Sequence, residues 1–250
     1  MPQGHNRRVE ITIGALLNAI GILLGGIFGL VRRKRFSLPA QIFFRNAIGT
    51  FNVFFALRLI YESMGGTFSS CLKQIVIALA AVVLGFWAGK LLKLQKMSNY
   101  LGRTAGNTIA LAAKHPGRSA ADGFNACAVL FCAEPLGVIG AVTDGLSNYF
   151  YLLAVKAVMD ALAMLELVKV FRWPSALSAI PVFVFFSVIS TAMQAYIRPL
   201  LTPHEIDSIN VAVGLIACIV TIVIFEVRKV ELANFLPALA IAPLLAKWVS

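Results

Sequence analysis

"ITIGALLNAIGILLGGIFGLVRRKR", residues 11–35, decides the class of fold. No charged side chain occurs between 11 and 31, and about 20 consecutive apolar residues is the length a helix needs to cross roughly 30 Å of hydrocarbon. Arg32, Arg33, Lys34 and Arg35 then close the run. A cleavable leader carries its positive charge ahead of a shorter apolar stretch, so this order predicts a retained first membrane span.

The same pattern recurs down the chain. Apolar runs bounded by charge clusters and by Gly, Pro and Ser predict eight spans, at 11–31, 40–61, 72–93, 123–143, 148–168, 175–197, 209–226 and 231–249. Seven is the alternative count, because the last run, "ELANFLPALAIAPLLAKWVS" (231–250), is short and holds Pro237 and Pro243. Composition agrees: 59% of the 250 residues are hydrophobic and 13% charged, with mean hydropathy +0.84, outside the range of water-soluble domains. The predicted fold class is all-α, a single polytopic transmembrane helix bundle over 1–250. The longest connection, 94–122, is expected on the cytoplasmic side as an interfacial helix ended by Pro116 and Gly117.

A net charge of +11 raises the question of a nucleic-acid partner. Of 22 Lys and Arg residues, 14 fall in the connections after spans one, three, five and seven, five on the other side and three within spans. Basic charge spread over four connections orients a chain in the bilayer instead of gripping a polyanion, and excludes nucleic acid as partner. Under the positive-inside rule both termini are then non-cytoplasmic. Cys71, Cys127, Cys132 and Cys218 have no metal-ligand spacing and read as small packing residues; no cofactor is implied.

Gly21, Gly25 and Gly29 repeat at four-residue spacing on one face of the first span. In lipid, such a face lets a second backbone approach, and packing within the bundle is favoured over a dimer face, which leaves a homo-oligomer open. An internal duplication is also suggested. "LNAIG" (17–21) resembles "LSAIP" (177–181), "AIG" (47–49) resembles "AVG" (212–214), and Pro39 and Lys90 have counterparts in Pro203 and Lys247. Spans one to three would repeat as six to eight with inverted topology, an arrangement found in many secondary transporters; chance recurrence in apolar sequence is the alternative.

"FCAEPLG" (131–137) puts Glu134 directly before Pro135 inside an apolar run. If spans four and five form a hairpin turning near 145–146, Glu134 is level with about residue 157, beside Lys156 and Asp160, which share one face of span five. Each charge at the bilayer centre costs on the order of 2.5–3.5 kcal/mol, so three together are expected to face inward and pair. Pro135 removes a backbone donor, and irregular backbone at that depth is tolerated where protein or a water-filled cavity satisfies it.

Taken in order, "GALLNAIGILLGGIFGL" (14–30), "VTDGLSNYFYLLAVKAVMDALA" (142–163), "SAIPVF" (178–183) and "ELANFLPALAIAPLL" (231–245) resemble the YqgA/YdfK-type family of bacterial inner-membrane proteins, a family without an assigned function. The resemblance covers about 13 to 245. It implies a multi-pass location in the bacterial inner membrane and a family pattern that includes Asp144, Gly145, Lys156 and Asp160. Glu134 departs from that pattern, which has a small residue there.

The residues predict a membrane transporter of a small ion or polar solute, cation- or proton-coupled, with Asp160, Lys156, Asp144 and Glu134 at the site and Pro135 as the helix break. The alternative is a non-transporting structural or accessory membrane protein in which Lys156 and Asp160 form a structural ion pair. No enzyme is expected. His5, His115 and His204 are scattered over connections, and Asp144 and Asp160 are expected to differ in depth by roughly 20 Å at 1.5 Å per residue, too far to share a proton.

Overall fold

Apolar runs without strand-like alternation form helices throughout. A computed structural model describes residues 12–32, 36–114 and 120–249, in which there are ten α-helices and no strand. They are α1 (Ile13–Val31), α2 (Leu38–Ser63), α3 (Phe68–Leu91), α4 (Leu94–Lys114), α5 (Ala120–Cys132), α6 (Pro135–Ser147), α7 (Tyr151–Phe171), α8 (Ala179–Ala192), α9 (Pro203–Ile224) and α10 (Ala238–Val249). The expected stop at Pro116 and Gly117, His5 and His115, and most of the basic cluster at 32–35 lie outside the described residues.

Local chemistry sets the helix ends. The Thr67 hydroxyl accepts from Ser70 N–H at the start of α3. Thr202 and Glu205 form a reciprocal capping box at α9, with Pro203 in the first turn. The first turn moves that helix start to Pro203, six residues ahead of the expected 209. Asn148 ends α6 in the left-handed conformation (φ 56°), a region asparagine tolerates better than most residues.

Five helical units are long and apolar enough to cross a membrane: Ile13–Val31, Phe68–Leu91, Trp173–Leu200, Pro203–Ile224 and Leu232–Val249. The pair α5 and α6 makes a sixth if the two helices count as one broken span. Helices α2 and α7 have 26 and 21 residues but hold charges, Arg45, Arg58 and Glu62 in one and Lys156, Asp160, Glu166 and Lys169 in the other. Large apolar side chains such as Phe43, Phe68, Val83 and Trp248 are exposed around the bundle. A surface of that kind faces lipid, and the protein is a polytopic helical membrane protein.

The helices pair in definite directions. The glycine face of α1 lies on α7, with Gly21 against Ala157, Gly25 against Ala161 and Gly29 against Leu165 and Val168, so the two helices run parallel. Helices α2 and α9 are antiparallel: Gly49 meets Phe225, and Gly214 meets Ile60. So are α3 and the last unit, where Gly85 meets Ala238 at the start of α10 and Gly89 meets Asn234 in the turn ahead of it. Small residues at each crossing remove the side chain that would hold the backbones apart. Helix α4 is the helix expected in the 94–122 connection. It buries Ala105 and Ala112, while Gln95 at its start hydrogen-bonds Ala233 and Asn234. The last span is broken as its prolines predict, with a 3₁₀ turn at Leu232–Phe235 ahead of α10.

Candidate functional site

The break between α5 and α6 positions the site. Pro135 has no N–H for the Phe131 carbonyl, and its ring clashes with a continuing helix. The chain therefore opens at Ala133 and Glu134 and resumes with the axis turned by 62°. Glu134 becomes the flanking residue of α6, with extended backbone (φ −73°, ψ 123°), and its side chain is free to reach α7.

It reaches Lys156. The ammonium Nζ donates to Glu134 Oε2 at 2.7 Å and to Asp160 Oδ1 at 2.8 Å. The lysine and aspartate side chains are buried, while Glu134 keeps 36% of its surface. Because Gly21 and Gly25 of α1 lie on Ala157 and Ala161, the cluster is level with the middle of α1. The Phe131 and Phe186 rings stand 5.9 and 5.8 Å from Nζ. Gly137 has no side chain because the Lys156 stem and the Phe186 ring occupy that space. The structure therefore brings Glu134, Lys156 and Asp160 together as the hairpin reading places them.

Two carboxylates share one ammonium, which leaves the cluster with one excess negative charge when all three groups are ionised. A second feature involves one of several polar residues within the apolar runs, whose place the sequence does not fix. Asn18 of α1 is fully buried and faces Asp160. Its amide atoms and Asp160 Oδ2 all fall short of a formed hydrogen bond. The signal in the sequence was the polar residue itself in an otherwise apolar face; its partner was hidden because α1 and α7 are remote along the chain.

Asp144 does not join the cluster. Its Oδ2 accepts from Gly14 N–H at 3.3 Å, at the N-terminal turn of α1. Thr12, the flanking residue of that helix, makes no side-chain capping bond. Asp144 thus supplies from α6 the negative end that the first turn of α1 lacks. Gly14 packs on Leu153, and Leu153 to Asp160 is about 10 Å along α7, half the separation expected from sequence.

Glu134 and Pro135 line a cavity of about 860 Å³ between α2, α7 and α9. Its wall extends from Glu134 and Pro135 to Phe36, Arg45 and Glu226, beside the start of α2 and the end of α9. Arg45 and Glu226 form an ion pair there. The walls are mostly apolar, with Glu166 and Gln41 among the polar groups. A smaller cavity of about 450 Å³, between α4 and the helix break, reaches Glu134 from the side of Arg103. Among the described residues no group of three or more His, Cys, Asp and Glu side chains is arranged to hold a metal ion.

Fold and cluster define a helical membrane protein with a charged centre inside its bundle. The chain belongs to the family described as "Protein of unknown function (DUF554)", which matches residues 13–247. It is 25% identical to the uncharacterized protein YqgA of Escherichia coli (strain K12) over 242 residues, covering 96% of this chain and 99% of that one. It is 21% identical to the uncharacterized membrane protein YdfK of Bacillus subtilis (strain 168) over 230 residues, covering 92% and 93%. No solved structure matches.

Proposed function

We propose that the protein is a carrier for a small ion or polar solute, coupled to a proton or another monovalent cation, and that Glu134, Lys156 and Asp160 form its coupling site. The observation that carries this reading is the buried ammonium held between two carboxylates at a helix break, with one of the carboxylates on the wall of a large cavity. A structural ion pair needs one acid and one base. A second acid leaves an excess charge where charge is costly, and binding a cation or proton removes it. Asp160 Oδ2 and the Asn18 amide are buried polar atoms that face each other beside the cluster. On binding, Lys156 gives up one of its two carboxylates, and the released contact is available to alter the α6–α7 packing.

The architecture supports a carrier over a fixed pore. Helix directions agree with eight alternating crossings; in this reading the protein sits in the bacterial inner membrane, with α4 on the cytoplasmic side and both termini outside the cytoplasm. An inverted repeat also draws support from packing. A shift of 165 residues carries 47–49 onto 212–214. The same shift exchanges the Gly49–Phe225 contact with the Gly214–Ile60 contact, as a two-fold axis between α2 and α9 requires. With the shift shortened to 157 residues, Ala81, Gly85 and Gly89 of α3 correspond to Ala238, Ala242 and Ala246 of α10, all buried. Helix α8 lacks the glycine face of α1, so the first pair has diverged most.

Thermal stability in detergent tests the site, measured with a panel of monovalent cations, amino acids, organic acids and nucleobases for the wild type and Asp160→Asn. A ligand that raises the wild-type midpoint but not that of the folded variant supports the site, and its uptake is then measured in proteoliposomes. If no ligand shifts the wild type while Asp160→Asn is strongly destabilised, the ion pair is structural and the protein is a non-transporting membrane component.

A further inference from the structure

A second cavity, of about 500 Å³, opens on the opposite face between the ends of α2 and α6 and the start of α9. Its walls include Leu59, Leu146, Leu201, Ile206 and Asn210. Under the 165-residue shift, Phe36, Gln41 and Arg45 of the large cavity fall on Leu201, Ile206 and Asn210 of the small one. In the reverse direction, Ile224 of the large cavity falls on Leu59. Four wall positions thus exchange under the operation that exchanges the α2–α9 contacts.

A plug separates the two cavities. Along α6 the large cavity ends at Leu136 and the small one at Leu146; along α9 the limits are Val220 and Asn210. Ten residues of helix make roughly 15 Å. Buried Ile139, Val142, Val213 and Ile216 fill that length. Asn52 lies within it, donating to the Ala217 carbonyl at 2.8 Å and to Thr221 Oγ1 at 2.9 Å across the α2–α9 seam. Two helices related by a two-fold axis can tilt about that seam, widening one end as the other narrows.

We propose that the two cavities are the alternating halves of one solute pathway, and that the present structure is its state open toward the basic connections. This rests on the carrier reading above and adds its route: the small cavity is the shallower counterpart of the large one. In the exchanged state the Arg45–Glu226 mouth closes, the cavity at Leu59 and Leu146 deepens, and the cluster at Glu134 is reached from the opposite face.

Site-directed labelling tests this on the full chain with Cys71, Cys127, Cys132 and Cys218 replaced by alanine, in vesicles of both orientations and with a membrane-impermeant maleimide. Ala163→Cys, on the wall of the large cavity, is expected to label from the basic face, and Leu59→Cys slowly from the other. When both are present and the first has been loaded with a bulky maleimide, which holds the large cavity open, labelling at Leu59→Cys is expected to be lost. Glu62→Cys, at the rim, is expected to label either way and reports a folded protein; Leu146→Cys replaces Leu59→Cys if that variant misfolds. Labelling at the base that ignores the blocked cavity, or never occurs, overturns the proposal. Solute flux that persists in the first of those cases leaves transport standing and removes only the alternation, whereas the absence of both flux and labelling removes both.

Discussion

Lys156 is the residue whose surroundings allow the sharpest test, because its charge is balanced twice over. Removing one partner of a buried pair leaves an uncompensated charge, whereas replacing the whole set by neutral groups leaves none. Lys156→Met is therefore expected to cost about 3–5 kcal/mol by leaving Glu134 and Asp160 facing each other. Adding Glu134→Gln and Asp160→Asn to it is expected to restore most of that loss in the thermal midpoint while abolishing every ligand-induced shift. Recovery of stability with the ligand shifts retained would remove the cluster from the binding site. Asp144 behaves differently, since it caps α1 from outside the cluster. Asp144→Ala is expected to lower stability by about 1 kcal/mol, as loss of a helix cap does, with ligand shifts unchanged. Lys156 and Asp160 were legible in the sequence because four-residue spacing fixes a shared helix face. Glu134 was legible because a hairpin aligns its two arms by counting. The partner of Asn18 and the place of Asp144 were not, since both depend on how α1 packs against helices remote along the chain.

Among the elements, glycine placement separates packed faces from open ones. A Cβ on Gly25 would meet the Ala161 backbone of α7, whereas one on Gly102 of α4 meets nothing within 4 Å. Gly25→Ala is therefore expected to push α1 off α7 and cost about 1–3 kcal/mol, in the range of an overpacked core. Gly102→Ala is expected to stabilise by up to about 1 kcal/mol, because alanine is the better helix former and no contact opposes it. Thermal midpoints of the two purified variants check both, and equal effects would show that the α1–α7 crossing is looser than its contacts indicate. The stripe in α1 was visible from spacing alone, but its partner was not, because a glycine face states that something comes close without stating what. The α5–α6 break was visible in "AEP" for a firmer reason: proline forbids the helix to continue whatever surrounds it.

For the whole molecule, orientation in the bilayer decides which cavity meets the cytoplasm, and charge decides orientation. In the eight-span reading of the sequence, 14 of 22 basic residues fall in the connections at one face, the face of the described α2 start and α9 end beside the large cavity. Lys and Arg close to span ends are retained on the cytoplasmic side, so that face should be the inner one. Reporter fusions check this directly. An alkaline phosphatase domain joined after Gly66, between α2 and α3, is expected to be active because the opposite face is exported. The same domain joined after Lys229, between α9 and α10, is expected to be inactive, with a green fluorescent protein at that position fluorescent instead. The pair of sites also tests the crossing count between them. Residues 67–229 contain α3, the α5–α6 span, α7, α8 and α9, five crossings if each traverses the bilayer, and an odd number puts the two sites on opposite faces. Equal activity at both would mean that one of these units does not cross. The bent α5–α6 pair would then be the first to re-examine, since a re-entrant segment returning to its own face at Glu134 changes the parity and leaves the cluster reachable from one side only.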